Sequence, residues 1–298
     1  MFLLTLRYFA TGSFQRTGGD LSGVSVSTSS RIIRRVCFHI AKLRERFISF
    51  PSSVEKQREL QNQFYKLARF PRVIAAIDCT HVEIISPGLL KRQCTSKTVT
   101  LIFVFLGGED AELYRNRKGF FSINTQTLCD SKLNIMDIVC RWPGSTHDAT
   151  ILRNSRIFNR FEAGEFRNCI VVGDSGYPCN RWLMTPLARI TSPAEALYNE
   201  SQIRSRNCIE RKYGVWKRRF PVLSLGIRVH LEEVEAIVVA TAVLHNVCNL
   251  KNDLDPPPTS AEISALIESE SRLPLFASSG QSDDFFRRQI IENHFQNL

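Results

Sequence analysis

The chain of 298 residues is 43% hydrophobic and 10% aromatic, enough to build a sizeable core, and its 39 Lys/Arg against 29 Asp/Glu give a formal charge of +10. No apolar run approaches the ~20 residues a membrane-spanning helix needs, and the opening Met-Phe-Leu-Leu-Thr-Leu is broken at Arg7 too soon to read as a signal peptide. The nine cysteines, an odd number with no Cys-x-x-Cys pair, argue against zinc and a disulfide framework and fit a reducing compartment.

In chain order, residues 1–70 read as helical. Leu3, Leu6, Phe9 and Ala10 recur at helical spacing, Gly18-Gly19-Asp20 is a turn, and a long helix opens at Ser25-Val26-Ser27-Thr28. Ile32, Ile33, Val36, Ile40, Leu43 and Phe47 form its apolar stripe, with Arg31, Arg34 and Arg35 on or beside the opposite face, and Val54–Ala68 is a further amphipathic helix. From residue 71 the period changes. Val73–Ile85, Phe120–Cys129 and Asn134–Cys140 read as a meander of antiparallel strands, Thr146–Asn154 as a helix, Asn168–Gly173 as an apolar strand, and Glu195–Arg219 and Val234–Leu250 as helices. Asp255-Pro-Pro-Pro breaks order before an acidic tail, 253–298, expected to be loosely held apart from a helix around Ala261–Glu270. Three strands, helix, strand, helix is the order of an RNase H-like α/β domain with a mixed sheet, here spanning 71–252 and preceded by a small all-α region.

Charge is unevenly spread. Residues 1–70 hold twelve Lys/Arg against four Asp/Glu, 203–220 hold seven against one, and 251–298 hold four against eight. Two separated basic blocks suit a polyanion that touches two places, and nucleic acid is the usual one. Three carboxylates stand out by position. Asp78 lies inside an apolar strand, where an unpaired ionised group costs several kcal/mol. Asp174 ends the strand of a parallel unit, at the edge where α/β sheets bind ligands. Glu210 sits on a basic helix among Arg206, Arg211 and Lys212. Converging from two strands and a helix, they can hold divalent cations for in-line phosphoryl transfer. Taken singly, each also reads as a turn cap or a solvated ion pair.

The text around these residues resembles the Harbinger/PIF transposase family and its domesticated, transposase-derived nucleases. Ala76-Ile-Asp-Cys-Thr-His81 is similar to the family's first-aspartate strand and Tyr114-Arg-Asn-Arg-Lys-Gly-Phe-Phe-Ser-Ile-Asn-Thr-Gln126 to its second strand. Arg141-Trp-Pro-Gly-Ser-Thr-His-Asp148 with Arg153-Asn-Ser155 resembles the following turn and helix. Gly173-Asp-Ser-Gly-Tyr-Pro178 with Trp182-Leu-Met-Thr-Pro186 resembles the second-aspartate strand and its loop. Arg206-Asn-Cys-Ile-Glu-Arg-Lys-Tyr-Gly-Val-Trp-Lys-Arg-Arg-Phe220 resembles the glutamate helix, and Leu244-His-Asn246 the helix near the domain's end. The resemblance implies a DDE triad of Asp78, Asp174 and Glu210, an RNase H-like fold, a divalent cofactor (Mg2+ or Mn2+), and cleavage of DNA by two metal ions. It further implies an amino-terminal helix-turn-helix over Gly12–Arg35, a Myb/SANT-like DNA-binding partner, and a nuclear location, with cytoplasm before import. DNA contacts are expected from Ser27, Arg31, Arg34 and Arg35, and from Arg206, Arg211, Lys217 and Lys217's neighbour Arg218. Residues 89–107 depart from the pattern and read as an insertion, a retained intron or misplaced exon boundary, with an apolar stretch Val99–Leu106.

Two function classes follow: a metal-dependent endonuclease, or a domesticated DNA-binding or scaffolding protein that keeps the fold without cutting. His147-Asp148 is expected to order the loop beside the site, His81 to point away from it, and His245, Trp182 and Trp216 to be core residues.

Overall fold

The computed structural model describes residues 1–12, 23–87, 109–257 and 284–298. The turn Gly19-Asp-Leu, the inferred insertion 89–107 and the expected helix Ala261–Glu270 all fall outside these residues. The amino-terminal helices are α1 (Phe2–Thr11), α2 (Val26–Ala41), α3 (Arg44–Phe47) and α4 (Val54–Ala68). Then come β1 (Val73–Glu83), α5 (Glu109–Glu112), β2 (Ser122–Cys129), β3 (Ile135–Pro143), α6 (Asp148–Arg153), α7 (Arg156–Glu162), β4 (Ile170–Val172) and β5 (Leu183–Met184). The long α8 (Pro193–Arg219), α9 (Leu231–Leu250) and α10 (Asp284–Asn293) complete the described elements apart from two 3-10 turns.

The five strands form one mixed sheet in the order β3-β2-β1-β4-β5. β1 pairs antiparallel with β2 and β2 with β3, whereas β1–β4 and β4–β5 are parallel. This is the arrangement expected of an RNase H-like domain, and β1 is central because it is apolar on both faces. Val73 and Ala76 belong to the core on one side of the sheet, and Ile74 and Ile77 to the core on the other. α8 and α9 cover the first side. On the second, Phe50, Phe161, Phe166 and Trp182 pack as a cluster of rings, with Phe161 stacked on Trp182 at 4.4 Å.

Packing adds detail that the sequence pattern does not carry. The amino-terminal helices are not a body of their own: Leu4, Tyr8, Phe9, Ile33, Cys37 and Ile40 share one core with α8 and α9, and the Phe9 ring meets Phe220 edge-on at 6.2 Å. The closing residues are not loose either. Ile290, Ile291 and Phe295 are buried, Phe295 lies against Phe70 and Tyr198, and His294 Nε2 is 2.9 Å from the Arg69 carbonyl. Their apolar residues are few and set among charges, so composition hid them. α7 and the two-residue β5 had been passed over: α7 is capped by Ser155, whose Oγ accepts from Phe158 N, and β5 is too short to carry a period.

α9 is buried on nearly every side, so its polar residues must find partners inside. His245 Nε2 is 2.9 Å from the Leu133 carbonyl, and burial holds its ring neutral, with a pKa down at about 3. Asn246 donates to the carbonyls of Phe47 and Ile135 at 2.8 and 2.7 Å and accepts from Ile135 N at 2.8 Å. One side chain thus ties α9 to the start of β3 and to the end of α3. Asn246→Ala strands a buried N–H and two carbonyls, and urea unfolding is expected to show a loss of about 2–4 kcal/mol. An unchanged midpoint would refute this linking role.

Candidate active site

Parallel pairing of β1 with β4 brings the two aspartates together. Ala76 is in register with Val172, and Asp78 and Asp174 each lie two residues further along their strands. Asp78 Oδ1 accepts from Cys79 N at 2.8 Å, and Asp174 Oδ1 accepts from Gly176 N at 3.0 Å. Gly176 leaves room here, since a Cβ there would sit 3.1 Å from Asp174 Oδ1, a tight contact.

Glu210 reaches the same place from α8. That helix starts with a complete capping box, Ser192 with Glu195, and Pro193 in its first turn. At ~1.5 Å per residue its 27 residues extend about 40 Å, far enough to cross the sheet. It is sewn down along the way. Tyr198 Oη donates to the Thr185 carbonyl at 2.9 Å, and Gln202 Nε2 to the Gly173 carbonyl at 2.7 Å, just before Asp174. Tyr213 Oη donates to the Asp78 carbonyl at 2.6 Å and accepts from Thr127 Oγ1 at 2.8 Å. The fully buried Lys212 donates to the same Thr127 Oγ1, and desolvation drops its pKa to about 7. Lys217 Nζ donates to Thr80 Oγ1 at 2.7 Å and the His81 carbonyl at 3.1 Å. The helix that carries the glutamate is therefore bonded directly to the strand that carries the first aspartate.

The electrostatics identify one pocket. Burial and then the charge of Asp174 raise the Asp78 pKa to about 7, while Arg206 and the Cys79 N–H pull it down. Asp174 is likewise raised by burial, countered by Arg206 and the Gly176 N–H, with Asp148 and Glu210 pushing it up. Arg206 is the counter-charge that makes the cluster tolerable: Nη1 pairs with Glu210 Oε1 at 2.8 Å, one helical turn away. Its Nε is buried without a partner among the described residues. With Glu210 turned onto Arg206, no three His, Cys, Asp or Glu side chains among the described residues are grouped so as to hold one metal ion. Asp78 and Asp174 are brought together; Glu210 is beside them but engaged elsewhere.

Asp148 is a fourth acid in this region. It opens α6, and Asn124 Nδ2 donates to its Oδ1 at 2.9 Å and to the Thr146 carbonyl at 2.9 Å. It raises Asp78, Asp174 and Cys79 together. Sequence reasoning noticed the His147-Asp148 pair but gave it only a loop-ordering part; the loop is ordered as expected, and the charge also bears on the site. His81 is half-buried, with Nδ1 3.0 Å from Ser122 Oγ.

The residues expected to meet DNA divide into two groups. Ser27, Arg31, Arg34 and Arg35 are all exposed on α2, whose N-cap is Ser25; Arg31 bonds back to Ser27 and Thr28, and Arg34 pairs with Glu233 at 3.5 Å. Of the four expected on α8, Arg206, Arg211, Lys217 and Arg218, Arg211 alone is exposed. Arg206 turns into the acidic pocket, Lys217 onto β1, and Arg218 donates to the Pro256 carbonyl at 3.2 Å. Trp182 and Trp216 are buried core residues, as their neighbours implied.

Residues 77–246 match the family model described as DDE superfamily endonuclease. The chain is similar to the protein named "Putative nuclease HARBI1" from Bos taurus, 31% identical over 298 residues covering 98% of this chain and 79% of that protein. Its human counterpart of the same name is 32% identical over 256 residues, covering 85% of this chain and 67% of the relative. "Protein ALP1-like" from Arabidopsis thaliana is 26% identical over 277 residues, covering 87% and 63%. No solved structure matches. The matched span holds the paired aspartates, the α8 glutamate and residues of all five strands, and on that ground the chain belongs to the harbinger transposase-derived DDE superfamily endonucleases.

Proposed function

We propose that this chain is an endonuclease that hydrolyses DNA phosphodiester bonds with divalent cations, Mg2+ or Mn2+, held by Asp78, Asp174 and Glu210. The observation that carries the reading is the pair of aspartates that parallel pairing brings together, Asp78 inside β1 and Asp174 just past the end of β4, both desolvated and of like charge. Hard carboxylate oxygens suit such a cation, and its charge would offset the burial and the Asp174 repulsion that together raise the Asp78 pKa to about 7. Two such ions, when bound, lower the pKa of the attacking water and stabilise the departing oxygen. Asp78 and Asp174 then hold their ionised forms, and Glu210 joins them by leaving Arg206. Arg206, once released, faces the substrate phosphate as a fixed positive charge. Tyr213 holds the main chain at Asp78, so the first carboxylate stays fixed relative to α8.

A second reading, a domesticated DNA-binding or scaffolding protein that keeps the fold without cutting, has its own support in the Arg206–Glu210 ion pair. In either case the exposed Ser27, Arg31, Arg34 and Arg35 of α2, with Arg211, are the proposed DNA contacts. A nuclear location and a Myb/SANT-like partner belong to the same reading and rest on the family resemblance.

Nicking of supercoiled plasmid with Mg2+ or Mn2+ tests the first reading. Wild type is expected to cut, and Asp78→Asn, Asp174→Asn and Glu210→Gln to lose on the order of 10³-fold or more in rate. Equal cutting by wild type and variants would mean contamination and sink the proposal; no cutting by a wild type that still binds DNA would select the second. Tyr213→Phe keeps the ring but loses the bond to Asp78, so the single-turnover rate should drop about tenfold with KM little changed and a stability loss of about 1 kcal/mol. A rate equal to wild type would remove Tyr213 from the positioning role. In a salt titration of duplex binding, the triple Arg31→Gln, Arg34→Gln, Arg35→Gln variant should flatten the slope of log K against log salt by roughly 2–3. An unaltered slope would exclude α2 from the DNA interface.

A further inference from the structure

Beyond the acidic pocket, β1 runs on from Asp78 to His81, about 10 Å at ~3.3 Å per residue. At that point positive charge gathers from two parts of the fold. Lys217 comes from α8, its Nζ 3.1 Å from the His81 carbonyl. Arg117 and Lys118 come from the turn that joins Arg115 to Phe121 ahead of β2. That turn is built firmly. The buried Asn116 accepts from the backbone of Lys118 and Phe120 at 2.9 and 3.4 Å and donates to Ser122 Oγ at 3.0 Å. Phe120 sets the turn against β1, its ring edge-on to His81 at 6.4 Å. Arg117 Nη2 donates to His147 Nδ1 at 2.7 Å, which links the turn to the residue before Asp148.

The three cations bear on the same point. Burial and then Lys118 lower the Lys217 pKa to about 8, and Lys217, Lys118 and Arg117 all oppose a charge on His81. Asp148 is the one acid that acts on His81 in the other direction. Among the described residues none of the three makes an ion pair with a carboxylate. Two of the three donors of Lys217 are used, and Arg117 and Lys118 are exposed. Like charges held together by a well-bonded turn and a packed helix raise the energy of the empty fold, and an anion bridging them lowers it.

We propose that Arg117, Lys118 and Lys217 form a phosphate subsite for the DNA strand, gripping a backbone phosphate that flanks the one presented to Asp78 and Asp174. This rests on the nuclease reading for the identity of the strand, but its test does not depend on cleavage. A divalent cation belongs at one end of this stretch of β1 and an anion at the other, so the two ends together orient a polyphosphate chain. The contact is to the backbone and carries no base sequence.

The experiment is fluorescence anisotropy with a labelled DNA duplex and no divalent metal, comparing wild type with the Arg117→Gln, Lys118→Gln double variant. Both positions are exposed, so a thermal melt should be unchanged and loss of fold is controlled. Kd is expected to rise on the order of tenfold, and the log–log salt slope to become shallower by roughly 2, at every duplex sequence tried. Equal Kd and slope for the two proteins would overturn the subsite. Weakened binding of poly-glutamate with DNA binding intact would overturn it too, and would point to an acidic protein partner. Failure of the nuclease reading shows in a different assay, as equal plasmid nicking by wild type and Asp174→Asn.

Discussion

The strongest constraint on this molecule is repulsion. Parallel pairing of β1 and β4 sets Asp78 and Asp174 side by side, and burial denies them the water that would screen their charges. Neither Glu210 nor Asp148 eases this; each adds negative potential at Asp174. Arg206 supplies the compensating charge from within the chain, and the site is balanced for as long as its guanidinium stays. A protein selected only for stability would replace such a cluster with apolar residues. Its retention on a sheet that is otherwise densely apolar is the physical reason to look here for function.

The surrounding fold serves to hold that cluster still. α8 makes side-chain bonds to β5, β4 and β1 in turn, through Tyr198, Gln202, Tyr213 and Lys217. Unlike a surface helix with one apolar stripe, it must bury polar residues: Asn199 and Gln202 donate to the carbonyls of Leu187 and Gly173, Ser201 to that of Ala68 at the end of α4, and Ser205 back to Ser201. Lys212, Thr127 and Tyr213 form a short chain of bonds under Asp78. Packing energy from the two cores is thereby converted into positional accuracy at the pocket.

Much of this could be read from the residues. The apolar runs at Val73 and Ile170 and the polar but β-rich Ser122–Cys129 located the strands, and the family blocks located the acids. What escaped had weak local signal. β5 is two residues long, and it exists only because β4 offers an edge. The docking of Ile290, Ile291 and Phe295 depends on a hollow made by Phe70 and Tyr198, far away in sequence. The inward turn of Lys217 and Arg218 was invisible as well: on a basic helix each reads as a solvent-facing charge, and only the tertiary placement of Thr80 and Pro256 gives them partners. Asp148 entered the site for a similar reason, through Asn124 on a neighbouring strand.

The common core of the amino-terminal helices and the sheet has a geometric corollary. Ile33, Cys37 and Ile40 of α2 are packed in the same apolar interior as Val238 and Trp216, and Arg34 is tethered to Glu233 on α9. α2 therefore has no hinge of its own within the described residues, and its basic face keeps a constant offset from the aspartates. On the proposed reading the two sites would act as a ruler: a strand lying along α2 and ending at the acidic pocket would be measured off at one fixed length.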